Sequence, residues 1–112
     1  MASEDRQGEA SSLRLETADD GGIRTLRLSG ELDLAGAPAL EAAIEEAMAE
    51  SERRVVIDFS ALTFIDSTGI AILVAAMGDE RGSGRLAFVP STAPAVTRVL
   101  KLTGVEERMP RA

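Results

Sequence analysis

Val55-Val56-Ile57-Asp58-Phe59-Ser60-Ala61-Leu62-Thr63-Phe64-Ile65-Asp66-Ser67-Thr68-Gly69-Ile70 is the stretch on which the fold turns. Val55-Val56-Ile57 does not alternate apolar with polar, so it reads as a central strand buried on both faces. Asp58 closes that run and is expected to face solvent. Further on, Ile70, Leu73, Val74 and Met77 follow the i, i+3, i+4, i+7 spacing of a helix. Between strand and helix stands the polar turn Asp66-Ser67-Thr68-Gly69. A carboxylate and two hydroxyls there can accept the orphan N–H groups of a helix start, and a phosphate in that place is stabilised by the same groups.

Outward from this stretch the chain alternates strands with helices. Leu13-Arg14-Leu15-Glu16-Thr17 alternates as a half-buried strand does. Asp19-Asp20-Gly21-Gly22 is a turn cluster, and Ile23, Thr25 or Leu26, and Leu28 mark a second strand ending at Ser29-Gly30. Leu40, Ile44 and Met48, with Ala43 and Ala47 beside them, form the buried stripe of an amphipathic helix. Asp33 is the expected N-cap of that helix, with Pro38 in its first turn. A polar connection at residues 51–54 precedes the central strand. A charged, glycine-rich connection over residues 78–84 leads to Leu86-Ala87-Phe88-Val89, a short buried strand. After a turn at Pro90-Ser91-Thr92, a third helix carries Val96, Val99, Leu100 and Thr103, and Gly104 stands just past its end. Val105 is the expected start of a last edge strand.

The order β-β-α-β-α-β-α, with or without a final short β, implies an α/β fold with a mixed sheet of four to five strands covered by three helices. Residues 1–12 are polar, without apolar periodicity, and read as a flexible tail; residues 13–112 read as one domain.

Composition narrows the function. The chain has 112 residues, 19 acidic against 12 basic, and a formal net charge of −7, which is unlike a nucleic-acid binder or a domain drawn to anionic membranes. It has no cysteine and no histidine, so thiol chemistry is excluded and the commonest general base and metal ligand are missing. Nothing calls for a metal or other cofactor. No apolar run is long enough to span a bilayer, and the acidic N-terminus is unlike a signal peptide, so a cytoplasmic protein is expected. As a hydrolase nucleophile Ser67 lacks a histidine base and the Gly-x-Ser-x-Gly elbow, and the only lysine is Lys101. A binding domain is therefore expected, not an enzyme.

Three pieces carry a resemblance to a known family: Leu26-Arg27-Leu28-Ser29-Gly30-Glu31-Leu32-Asp33; Val56-Ile57-Asp58-Phe59 through Phe64-Ile65-Asp66-Ser67-Thr68-Gly69-Ile70; and Val96-Thr97-Arg98-Val99-Leu100-Lys101-Leu102-Thr103-Gly104-Val105. In this order and spacing, over residues 13–109, the chain resembles the STAS family, and within it the bacterial anti-sigma factor antagonists. The resemblance implies a STAS-like fold and a partner-switching role. The antagonist binds an anti-sigma factor that is also a serine kinase, so releasing the sigma factor. Phosphorylation, which falls on Ser67 when carried onto this chain, breaks the complex, and a PP2C-type phosphatase reverses it. Asp33, Asp66, Ser67, Thr68 and Gly69 are the expected partner-binding residues. Asp33 reads equally as a cap or as part of the surface near Ser67; Thr68 reads as a first-turn hydroxyl and Gly69 as a point of close approach. The other role open to a STAS domain is as a subunit of a membrane lipid-transport assembly, contacting an ATPase subunit.

Overall fold

The computed structural model describes residues 12–50 and 53–112. Strands β1 (Leu13–Asp20) and β2 (Ile23–Leu32) form an antiparallel hairpin, followed by α1 (Ala37–Ala49), β3 (Arg54–Ile65), α2 (Ser67–Met77), β4 (Leu86–Val89) and α3 (Pro94–Leu102). Short 3-10 turns occupy Glu80–Gly82 and Glu106–Arg108. The sheet order is β1-β2-β3-β4, with β2, β3 and β4 parallel, which gives the expected mixed α/β sheet. Of the expected tail, residues 1–11 lie outside the described residues, as do Ser51 and Glu52 of the polar connection. Ser12 is tied to the sheet, its carbonyl accepting from the Glu31 N–H at 3.3 Å.

The hairpin turn is tighter than the acidic cluster suggests. Asp19 and Asp20 belong to β1, and only Gly21 and Gly22 turn, with Gly21 at φ +61°, a conformation glycine adopts without cost. Across the sheet Leu26, Ile57 and Phe88 lie in register on one face, and the Phe59 and Phe88 rings stand 5.8 Å apart. The α1 stripe of Leu40, Ile44, Ala47 and Met48 is buried in the same core, together with Leu73 of α2 and Val96 and Leu100 of α3.

Strand β3 departs most from the sequence reading. It runs twelve residues, not three, and Asp58 lies within it at 9% exposure instead of facing solvent at its end. The pairing with β2 slips by one residue between Asp58 and Ala61 and again between Leu62 and Phe64. Such bulges break strict alternation. Val55, Ile57 and Phe59 are buried at a period of two, but Leu62 and Ile65 follow at spacings of three, and a period of two does not find them. Asp58 tolerates its place because the Ser60 N–H donates to it at 2.8 Å and the Arg27 guanidinium at 3.3 Å. Burial pushes its carboxyl upward, but these donors outweigh burial and hold it below its ordinary value.

Two end assignments are also corrected. Pro38 does sit in the first turn of α1, but the helix begins at Ala37 with Gly36 at its cap, so Asp33 is not the N-cap. A capping side chain reaches only the second or third helical N–H, and Asp33 lies too far upstream. It closes its own turn, accepting from the Ala35 N–H at 3.1 Å. Val105 does not open a strand. It is buried ahead of the 3-10 turn, and the edge contact falls later, where Arg111 bridges to Phe88. Gly104 is as expected past the end of α3, at φ +75°.

Candidate partner-binding site

Strands β2 and β3 run parallel and end together, with Leu32 opposite Ile65. The turns that follow therefore emerge side by side at the carboxyl ends of the strands, the edge at which open α/β sheets present their sites. The Asp66 N–H donates to the Leu32 carbonyl at 3.1 Å and joins the two turns directly. Register thus brings the Asp33 turn beside the turn that carries Asp66 and Ser67.

Within the second turn the polar residues have separate tasks. Asp66 is the N-cap of α2, its Oδ1 accepting from the Gly69 N–H at 3.1 Å and its carbonyl from the Ile70 N–H at 3.0 Å. Ser67 is the first helical residue and is exposed. Among the described residues its hydroxyl has no hydrogen-bond partner, because the capping it could have supplied is already supplied by Asp66. Thr68 is half-buried and its hydroxyl is likewise unpaired among the described residues. Charge placed on Ser67 would sit at the positive end of the α2 dipole.

Gly69 is buried beneath this surface. A Cβ there would lie 2.7 Å from Ile65 Cγ1 and 2.8 Å from Leu32 Cγ, so the bare backbone lets the first turn of α2 close onto the strand ends. The close approach is to neighbouring side chains of the chain itself. Asp33 is half-buried, and Leu34 beside it is 73% exposed. Sequence reading passed over Leu34, whose only signal was a large apolar residue inside a polar turn. It also passed over Phe64, 41% exposed, which with Pro94, Ala95, Arg98 and Val99 lines an apolar groove of about 390 Å³. The bulges again hid Phe64 by turning it out of the expected alternation. Lys101 is exposed in the last turn of α3.

These features define a class: a small open α/β domain with an exposed polar turn at its strand ends. A family model described as "Mlab, STAS domain" matches residues 15–111. The chain belongs to the STAS domain family. It is 35% identical over 96 residues to the anti-sigma-F factor antagonist RsfB of Mycobacterium tuberculosis, covering 86% of this chain and 78% of that protein. The structure of an anti-sigma factor antagonist from Mycobacterium paratuberculosis superposes with a TM-score of 0.78 at 34% identity, covering 89% of this chain and 85% of the other. The antagonist SpoIIAA matches in its unphosphorylated form, with a TM-score of 0.68 at 24% identity, and in its phosphorylated form, with a TM-score of 0.60 at 23% identity. Coverage is 89% of this chain against 87% and 90% of those chains. At such identities the SpoIIAA likeness speaks for the fold.

Proposed function

We propose that this protein is an anti-sigma factor antagonist that binds an anti-sigma factor with serine-kinase activity, frees the sigma factor, and is switched off by phosphorylation of Ser67. The observation that carries this reading is the division of labour in the turn: Asp66 caps α2, which leaves the Ser67 hydroxyl exposed and unpaired at the helix start. In the transfer, Ser67 Oγ attacks the γ-phosphorus of ATP bound to the kinase. The serine proton passes to a base of the kinase, and ADP leaves. The product carries about −1.5 to −2 added charge. The α2 dipole favours that charge while neighbouring Asp66 opposes it, so the fold stays as it is and the switch acts through charge and bulk on the binding surface. A PP2C-type phosphatase hydrolyses the ester and resets the switch. Asp33, Asp66, Ser67 and Thr68 form the partner-facing edge, with Gly69 beneath it. The protein acts by binding rather than catalysis, in the cytoplasm, with residues 13–112 as its single domain and without nucleic acid. Among the described residues no helix is long and apolar enough to cross a membrane.

Intact-mass measurement after incubation with candidate anti-sigma kinases and ATP tests the reading. One added phosphate on the wild type, and none on Ser67→Ala, is the expected result. A phosphate retained on Ser67→Ala would overturn the site. The matched family model is described by its STAS domain and not by a sigma-factor circuit, which keeps the transport-subunit role as a second reading. No phosphate with any candidate kinase, together with stable capture of a transporter ATPase, would favour it.

A further inference from the structure

We infer that Gly69 and Leu32 form a positioning pair that sets where the Ser67 hydroxyl stands; the inference rests on the phosphoacceptor reading of Ser67. Leu32 holds the turn twice. Its carbonyl accepts from the Asp66 N–H, and its side chain fills the space that a Cβ on residue 69 would need, at 2.8 Å from Cγ and 2.9 Å from Cδ2. Ile65 closes the other side at 2.7 Å. Leu32 and Ile65 are fully buried, at 0% and 2% exposure, so neither has open space to yield into. A side chain at 69 must therefore displace these packed side chains, the first turn of α2, or both. Ser67 lies two residues upstream in that same turn and moves with it.

Helix propensity alone argues the other way. Gly69 has ordinary helical backbone, with no positive φ, and alanine is the better helix former at such a position. The glycine weakens the helix and is explained by the close seat it permits. Leu32 also precedes Asp33 in the chain, so the pair fixes the two partner-facing turns against each other. In that role Gly69 acts from below the surface, through the placement of Ser67, without touching the partner.

The test compares wild type, Gly69→Ala, and Gly69→Ala combined with Leu32→Ala, which removes the Cγ and Cδ2 atoms that the new Cβ would meet. The readouts are the amide NMR signals of Ser67 and Thr68 and the steady-state kinetics of phosphorylation by the kinase that modifies the wild type. Gly69→Ala is expected to shift both amides and to lower kcat by about 10- to 100-fold, the usual consequence of a small misplacement of a reacting group. KM should change less, and the double variant should recover part of kcat, Ile65 Cγ1 remaining close. A merely unfolded fraction would lower the effective substrate concentration and raise KM, leaving kcat unchanged. Should Gly69→Ala fail to fold, Leu32→Val alone, which loosens the same seat, is expected to shift the same amides and lower kcat. Unmoved amides with wild-type kcat, or a kcat loss that Leu32→Ala does not relieve even in part, would overturn the inference. If the wild type itself takes no phosphate, the Ser67 reading falls, while the amide shifts still report whether the pair sets the turn.

Discussion

The two ends of the sheet use polar residues in opposite ways. At the amino ends of β3 and β4, several charges pair within the chain. Asp19 pairs with Arg24 at 2.8 Å and with Arg53 at 2.9 Å, and Arg24 also reaches Glu50 at 3.3 Å. Arg81 joins Glu45 of α1 to Asp79. Arg85 donates to the carbonyls of Arg53, Arg81, Glu50 and Ala47, gathering the exposed end of α1 and two connections under one guanidinium. At the carboxyl ends of β2 and β3, Asp66 alone works as a cap, while the hydroxyls of Ser67 and Thr68 stay unpaired among the described residues. One end is tied off and the other is left with unspent hydrogen-bonding groups. Exposed hydroxyls that no group of the chain engages suit recognition, and groups paired within the chain suit stability.

This contrast is broken most severely by removing Arg85. Arg85→Ala strips four carbonyls of a charged donor, and the expected loss is about 2 kcal/mol of unfolding free energy, carried by the part-buried Arg53 and Ala47 carbonyls, since water replaces the donor at the exposed Arg81 and Glu50 carbonyls. Urea denaturation measures it. The same variant should be phosphorylated at Ser67 as the wild type is; a parallel loss of phosphorylation would show that the two ends are not independent.

A smaller effect comes from acid. Hydrogen bonding from Arg24, with Arg53 adding to it, holds the Asp19 carboxyl at about 2, below its ordinary 3.8. A carboxyl depressed in the folded state contributes stability that is complete above the ordinary carboxylate range and is lost as pH falls from there through about 2. The Tm of the wild type should therefore hold level down to about pH 5 and then fall, and Asp19→Asn should fall less steeply. The pair is exposed, so the difference should shrink in high salt. Equal slopes for the two proteins would show that the hairpin network does not carry the acid sensitivity.

Periodicity carried much of this molecule. The i, i+4 stripe of Leu40, Ile44 and Met48 placed α1, and the change of pattern after Ile65 placed the start of α2 at the polar turn. Bulges concealed the length of β3, because Leu62 and Ile65 leave the period of two that Val55, Ile57 and Phe59 set. The cap of α1 was misplaced because Asp33 is a good capping residue that three further residues separate from Ala37. At the turn before α2, residue type alone could not divide the tasks of the polar side chains. Asp66, Ser67 and Thr68 are all competent caps, and only coordinates show which oxygen faces Gly69 N. The Arg85 clamp was invisible for a different reason: its four acceptors are backbone carbonyls, which any residue supplies.

The account stands most directly on whether charge at the open end controls association. The measurement is calorimetric titration of the cognate anti-sigma factor with this protein, unphosphorylated and then stoichiometrically phosphorylated at Ser67. Phosphorylation is expected to weaken binding by roughly 5- to 150-fold, the usual range of a regulatory coupling, with an unchanged fold by circular dichroism. Equal affinity of the two forms would contradict the switch.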